Sequence, residues 1–358
     1  MSTNKGQMPT DSINFSGRRI GAGFPVFVIA EAGLNHNGSL EMALQLVDAA
    51  KQASADCVKF QKRDVSNLAI SDVLEAEDRR FPSLGSTYRG IRERLEFGEA
   101  EYREVIQHCR SKEIQFLCTA FDIASIEFLS ALDVGAFKLA SHSLTNMPLI
   151  ECAASTGKPV FLSTGMCTFD EIDRSVEFFQ KRETPLALFH CVSVYPHKAE
   201  EANLSLMDAI RERYQVPVGY SGHELGHLPT LVAVARGAAA IERHFTMDKT
   251  LEGFDHRISL EPHELSNMIR DIRMAEASLG TRKKEITEAE WTTRRKYHVS
   301  IVSKAAIAAG TLIEESMLGT KNPGLGIESY LISEVVGRRT RQNIPADSLI
   351  QWEMLEKS

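Results

Sequence analysis

The sequence predicts an α/β protein, a (β/α)8 barrel over residues 25–280 followed by a small β-rich domain. Three observations predict it. Short β-branched or aromatic runs alternate with stretches of helical periodicity along this whole region. The alternation repeats eight times, which is the count and size of a closed barrel. No Gly-rich nucleotide fingerprint accompanies it, which favours the barrel over a doubly wound open sheet, the other architecture that alternates this way.

The elements follow in order, after an N-terminal extension of residues 1–24. Phe-Val-Ile-Ala at 27–30 precedes an amphipathic stretch at 40–53, and Cys-Val-Lys-Phe at 57–60 leads through an insertion to a helix at 100–111. Strands at 115–119, 136–139 and 160–163 precede helices at 125–131, 149–155 and 169–180. Strands at 186–190, 216–220 and 239–242 precede helices at 204–214, 228–236 and 263–279. The insertion at 63–98 is too long for an ordinary βα loop. With Arg-Arg at 79–80 and Arg-Glu-Arg at 92–94, it reads either as a surface excursion or as a lid over the C-terminal rim. Residues 281–296, polar and rich in Lys and Arg, read as a linker. Residues 297–358 read as short strands and turns, with strand character at 298–302, 308–310, 321–326 and 342–349.

Composition bounds the function. Hydrophobic content of 43% and charged content of 25% are ordinary for a globular enzyme. A formal net charge of −7 argues against a nucleic-acid partner. Six cysteines without a CxxC pair read as reduced, which points to the cytoplasm. The polar N-terminus predicts no signal peptide, and no apolar run approaches the ~20 residues of a membrane span.

Chemistry in such a barrel belongs to the C-terminal strand ends. Polar residues gather there: Glu31, Lys59, Gln61, Thr119, Lys138, Ser141, Ser163, Ser193, Tyr195, Ser221, Glu242 and the histidines His223 and His244. Solvation alone explains many polar strand ends. Lys59 and Lys138 are different, because each sits inside an apolar strand where a lysine is costly unless an anion meets it. Two inward lysines with several serines suggest a phosphate and a carboxylate. His223 and His244 follow neighbouring strand runs; adjacent strands lie about 4.8 Å apart, so both imidazoles reach one rim close enough to hold one metal ion. A single strand-end histidine is usually structural; the pair, with Glu242 beside it, reads as a metal site. Lys138 as a Schiff-base lysine is the alternative, one that does not need the histidine pair.

The motifs together resemble the sialic acid synthase family. They are Ala-Glu-Ala-Gly-Leu-Asn-His-Asn-Gly (30–38), Val-Lys-Phe-Gln-Lys (58–62), Phe-Lys-Leu-Ala-Ser (137–141) and Leu-Ser-Thr-Gly-Met (162–166). His-Cys-Val-Ser-Val-Tyr-Pro (190–196), Gly-Tyr-Ser-Gly-His (219–223), Ile-Glu-Arg-His-Phe-Thr (241–246) and Glu-Gly-Phe-Asp-His (252–256) complete the set. Residues 297–358 resemble the antifreeze-like SAF domain, a β-clip, that follows the barrel in this family.

The resemblance implies an alkyl-type transferase that condenses phosphoenolpyruvate (PEP) with an N-acetylated amino-sugar aldehyde, giving a nonulosonic acid and phosphate by C–O cleavage. It implies a divalent metal on His223 and His244, Mn²⁺ first, with Mg²⁺, Co²⁺ or Zn²⁺ as alternatives. Lys59, Lys138, Ser141, Ser163, Ser193 and Ser221 fall where the family places PEP, and Thr119 stands beside them. Glu31, Gln61, Tyr195, Glu242 and Asp255 fall where the sugar and the reacting carbons lie. A domain-swapped homodimer, with the small domain capping the partner's site, is implied as well.

Two positions depart from the family pattern. After Lys-Leu-Ala-Ser the family has Gly and an acidic residue, where this chain has His142 and Ser143. Its C-terminal Lys-Arg-Pro-Gly becomes Lys321-Asn322-Pro323-Gly324 here, which leaves the acceptor sugar open. A synthase of another 3-deoxy keto acid and a catalytically inactive sugar-binding barrel are the competing readings.

Overall fold

The computed structural model describes residues 12–281 and 283–357; the first eleven residues of the predicted N-terminal extension lie outside them. The chain divides into two units, Met1–Gly280 and Thr281–Ser358.

The first unit contains a closed parallel barrel of β3 (Phe27–Gly33), β4 (Cys57–Lys62), β5 (Gln115–Ala120), β6 (Phe137–Leu139), β7 (Val160–Ser163), β8 (Leu186–Cys191), β9 (Val218–Gly222) and β10 (Ala240–His244). Each strand is followed by a helix on the outside: α1 (Leu40–Gln52), α4 (Glu99–Ser111), α5 (Ile123–Ala131), α6 (Met147–Ser155), α7 (Phe169–Lys181), α8 (Leu206–Tyr214), α9 (Leu228–Ala235) and α10 (Pro262–Leu279). Between β4 and α4 lie α2 (Ser71–Leu74) and α3 (Tyr88–Leu95).

Side chains alternate along each strand, so every second residue points into the barrel. At the N-terminal end the inward residues are apolar: Phe27, Ile29, Cys57, Leu117, Ala136, Phe161, Ala187 and Phe189 form one buried cluster. Two residues further along the same faces stand Glu31, Lys59, Thr119, Lys138 and Ser163, all buried. The outward residues Val28, Ala30, Val58, Leu139, Leu162 and Leu188 pack with the helices in the larger cluster. One strand period therefore supplies a dry floor, a polar rim and a helix-facing layer.

The predicted extension contains structure that the sequence reading did not anticipate. Strands β1 (Ser12–Phe15) and β2 (Arg18–Gly21) pair antiparallel, and Ile13, Phe15 and Ile20 join the interior cluster at the barrel floor. Phe15 meets Phe27 and Phe161 edge-on at 5.9 and 5.6 Å. The missed signal was the alternation Ile13, Phe15 ahead of a Ser16-Gly17 turn with positive φ, with Ile20 beyond it.

The insertion at 63–98 is not a structureless excursion. Thr87 caps α3, and Ile91 and Leu95 bury themselves against Leu34, Phe81, Leu84 and Phe254. Within and just beyond the stretch read as a linker, Glu288–Tyr297 form a helix, α11. Thr287 and Glu290 make a reciprocal capping box, with acids in the first turn and Arg294, Arg295 and Lys296 in the last, which matches the helix dipole.

In the second unit, β11 (Ser300–Ser303) pairs with β12 (Leu318–Lys321), and the ladder surrounds a small core of Ile301, Ile313, Leu318, Ile327, Val335, Ile350 and Leu355. A single turn of helix, α12 (Ile332–Val335), contributes to it. The strands expected at 308–310 and 342–349 are isolated bridges such as Ile307↔Ile344 and Val302↔Leu349. Proline and glycine interrupt the ladder around 322–326, where Pro323 lacks an N–H to donate. Among the described residues no helix is long and apolar enough to cross a membrane.

The floor plug yields the first prediction. Phe15→Ala should lower unfolding stability in urea by about 3–5 kcal/mol, the usual cost of emptying a buried aromatic site. Substrate affinity should hold, because the plug lies at the barrel end opposite the polar rim.

Candidate active site

Every site residue selected from the sequence lines one cavity of about 330 Å³ at the C-terminal rim of the barrel. Register explains the convergence. Glu31 is paired with both Lys59 and His244, Thr119 with Lys138, and Glu242 with Ser221 on neighbouring strands. Ser141 follows β6 in a 3₁₀ turn, Ser193 and Tyr195 lie in the loop after β8, and Asp255 lies in the loop after β10.

At the centre, Lys59 Nζ stands 2.8 Å from Glu31 Oε2 and 3.7 Å from Glu242 Oε1, and donates to Thr119 Oγ1 at 2.7 Å. The Glu31 contact is an ion pair rather than an aligned hydrogen bond, since Glu31 Oε2 has no hydrogen-bond donor of acceptable geometry among the described residues. Glu31 Oε1 accepts from Gln61 Nε2 at 2.7 Å. Burial disfavours the Lys59 charge, but Glu242 and Glu31 outweigh it and raise the pKa. Burial likewise opposes ionisation of Glu242, yet Lys59 and Lys138 hold its carboxyl below the usual range. The group is thus a charged cluster, Lys⁺ between two carboxylates.

Lys138 differs. It donates to Ser163 Oγ at 2.5 Å and to the Leu139 carbonyl at 3.0 Å, with no carboxylate in ion-pair contact among the described residues. Burial, helped by the Lys59 charge, lowers its pKa against the pull of Glu242. Close by, Ser141 Oγ accepts from Gly165 N at 3.0 Å. A Cβ on Gly165 would fall 2.5 Å from Ser193 Oγ and 3.0 Å from Ser141 Oγ, so glycine keeps open a small cradle of hydroxyls and a backbone N–H. Its donor chemistry suits an oxyanion.

On the other side, the His223 and His244 rings lie 5.5 Å apart, and Tyr195 stacks beside His223 at 4.1 Å. His223 Nδ1 stands 2.8 Å from the Val192 carbonyl, which places its proton there and leaves Nε2 as a lone-pair donor. Burial, reinforced by His244, holds its pKa down at about 3, so the ring is neutral. His244 Nδ1 is buried without a hydrogen-bond partner among the described residues, with Asp255 Oδ2 3.8 Å away. Glu242 Oε2 is orphaned in the same way. Among the described residues no three His, Cys, Asp or Glu side chains form a metal cage. Two imidazoles side by side, His223 with its Nε2 lone pair free and His244 with an orphaned Nδ1, nevertheless fit a divalent metal whose remaining ligands come from water or substrate.

Behind the imidazoles runs a network that sequence reasoning missed. Arg243 Nη1 donates to Glu224 Oε1 at 3.0 Å and Nη2 to the Glu224 carbonyl at 2.7 Å, while Tyr220 donates to Glu224 Oε2 at 2.9 Å. Thr230 Oγ1 also donates to Glu224, and His197 stands 3.4 Å from it. The clue lay in position: Arg243 precedes His244 on β10, where the period of two sends it outward, and Glu224 follows His223 just past β9. They clamp the two histidine-bearing segments together.

Further lining residues come from the segments after the strands and, for Arg92, from α3. Arg63, Arg92, Phe121, His142 and Phe254 all reach the cavity. At one departure from the family pattern, His142 enters the cavity and its Nδ1 stands 2.7 Å from Ser143 Oγ. Gly33, with φ of +53°, ends β3 where a Cβ would stand 3.1 Å from Gln61 Nε2 and 3.2 Å from Glu31 Oε1. The glycine lets those two side chains meet.

Comparison with known proteins places this geometry. Residues 46–284 match the NeuB family model, and residues 298–356 match the SAF domain. The chain is 37% identical to the N,N'-diacetyllegionaminic acid synthase of Legionella pneumophila, over 94% of this chain and 96% of that one. It is 34% identical to the N-acetylneuraminate-9-phosphate synthase of Homo sapiens, over 98% of each. A crystal structure of N-acetylneuraminic acid synthetase from Leptospira borgpetersenii matches with a TM-score of 0.70 at 36% identity, covering 79% of this chain and 94% of that one.

The clamp behind the imidazoles is open to test. Glu224→Ala leaves Arg243 buried and unpaired, and should cost about 3–5 kcal/mol of stability in urea denaturation of the ligand-free protein. A loss below 1 kcal/mol would show that Arg243 finds other partners.

Proposed function

Because the chain belongs to the NeuB family, we propose that it is a nonulosonic acid synthase that condenses PEP with the open-chain aldehyde of an N-acetylated amino sugar. The observation that carries this reading is one cavity with two unlike ends. Lys138, Ser163, Ser141 and the Gly165 N–H form an oxyanion cradle at one end, and the His223 and His244 imidazoles stand at the other. The Glu31–Lys59–Glu242 cluster lies between them.

Lys138 and Lys59, with Thr119, Ser141, Ser163, Ser193 and Ser221, would bind the phosphate and carboxylate of PEP. Gln61, Tyr195 and Asp255 would orient the acceptor. His223 and His244 would hold a divalent metal, Mn²⁺ first and Mg²⁺ or Co²⁺ as alternatives, which when bound supplies Lewis-acid polarisation of the aldehyde oxygen. A bond then forms between C3 of PEP and the aldehyde carbon, leaving C2 electron-poor. Glu31, held by Gln61 and Lys59, orients a water toward C2 and takes its proton as the new C–O bond forms. The C2–O bond to phosphorus breaks, the ketone forms from the added water, and phosphate leaves with the bridging oxygen. Lys138 and Lys59 stabilise that departing charge. Glu242 balances Lys59 and, through Ser221, holds the rim between the two ends. A domain-swapped homodimer with the SAF domain over the partner's cavity, and a cytoplasmic location, belong to the same proposal.

The decisive experiment offers PEP and a panel of N-acetylated hexosamines, with mass detection of the product. Phosphate and a nine-carbon keto acid should appear in equal amounts, with ¹⁸O from the PEP bridge found in phosphate. EDTA should abolish turnover and Mn²⁺ restore it. His223→Ala or His244→Ala should cut kcat/KM by on the order of 10²–10³ or more while the fold persists. Absence of turnover with every N-acetylated hexosamine, Mn²⁺ present, would sink the proposal.

A further inference from the structure

Among the described residues two cations lining the cavity have no carboxylate in ion-pair contact: Lys138, at the oxyanion cradle, and Arg92. Lys59 is held by Glu31 and Glu242. Arg63, at the start of the insertion, is held by Glu96 at 3.1 Å, and Arg80 is paired with Asp78 at 2.6 Å. Arg92, on α3, lines the same cavity. Among the described residues it makes no ion pair, and its Nε is buried without a hydrogen-bond partner.

The guanidinium is nevertheless held in place. It lies over the Phe254 ring at 3.9 Å and 5.0 Å from the centre of the Tyr88 ring. Phe254 in turn meets Phe81 edge-on at 4.8 Å. Ser83 donates through its backbone N and its hydroxyl to Glu252 Oε2, at 3.2 and 2.6 Å, which ties the insertion to the loop after β10. Ile91 and Leu95, beside Arg92 on α3, are buried in the same cluster as Phe81 and Phe254 and anchor the helix. Stacking fixes the guanidinium plane and leaves the in-plane N–H groups free to bind, the geometry suited to bidentate capture of an oxyanion.

The local field favours such a partner. Burial and the adjacent Arg63 charge push the Arg92 pKa down, so an arriving anion relieves a strained charge. Asp255 lies within the field of Arg92 but outside ion-pair reach, and stands 3.8 Å from His244 instead. In the condensation proposed above, the lysines and hydroxyls at the strand ends would meet both anionic groups of PEP. Arg92 enters from the insertion, where the far end of a second substrate would emerge.

We propose that Arg92 binds a phosphate monoester carried by the acceptor sugar at the end away from its aldehyde, so the preferred acceptor is a phosphorylated N-acetylhexosamine. This assignment rests on the condensation proposed above. It also gives the insertion a role: a lid element that selects the acceptor by charge.

The test compares initial rates with N-acetylmannosamine and with its 6-phosphate, using the full-length protein and the variants Arg92→Met and Arg92→Lys. The unsubstituted protein should prefer the phosphate ester. Arg92→Met should raise KM for the ester ~10- to 100-fold, the worth of a charge-assisted bond, and remove the preference. Arg92→Lys, which keeps the stem and the charge, should restore part of it. Equal losses on both acceptors, or turnover of the free sugar without preference for the ester, overturn the assignment and leave the condensation standing. Turnover of neither acceptor overturns the assignment, and the wider hexosamine panel then decides the condensation itself.

Discussion

A lysine buried between two carboxylates is the contact on which the rest of the site depends. Lys59 is almost wholly inside the barrel, and an isolated ammonium there would be costly or would lose its proton. Glu31 and Glu242 keep it charged, and Lys59 in return keeps Glu242 ionised. The three residues come from three consecutive strands around the closed barrel, β10, β3 and β4. Opening the barrel would separate them. Closure of the sheet and the charge state of the site are therefore one constraint.

The same barrel divides its labour along the strand axis. The N-terminal end is dry, filled by aromatic rings and sealed by the β1–β2 hairpin. The C-terminal end carries the charges, orphaned nitrogen and oxygen atoms, and loops. Such a gradient has a physical basis. Hydrophobic burial at the floor supplies the stability that offsets the desolvation of lysines and glutamates at the rim. The Arg243–Glu224 pair extends the polar zone outward beneath the helices, where each donor finds a specific acceptor and holds His223 and His244 in register.

Much of this was legible in residue order. Lys59 and Lys138 announced themselves as charges inside apolar strands, and the period of two carried Glu31, Thr119, Ser163, Ser221, Glu242 and His244 to the same interior face. Helix ends agreed to within a few residues, since Ser39, Thr168 and Asp122 accept from the first turns they cap. Other features were illegible for definite reasons. Ile13 and Phe15 form too short a run to declare where their hairpin docks. Arg92 lies in a charged helix whose solvent-facing pattern resembles any other, and only its neighbours reveal that it points inward. Nothing local in the sequence pairs Glu224 with Arg243; the fold places them opposite each other.

Local pattern thus specified the barrel, the inward faces of its strands and the inventory of lysines, carboxylates and imidazoles, because strand period and burial cost act over a few residues. Packing between distant segments chose the remainder. It brought Phe15 to the floor, Glu224 to Arg243, and the insertion's Arg92 onto Phe254. Those contacts join residues far apart in the chain, and no local periodicity encodes a distance between elements that meet only when the barrel closes.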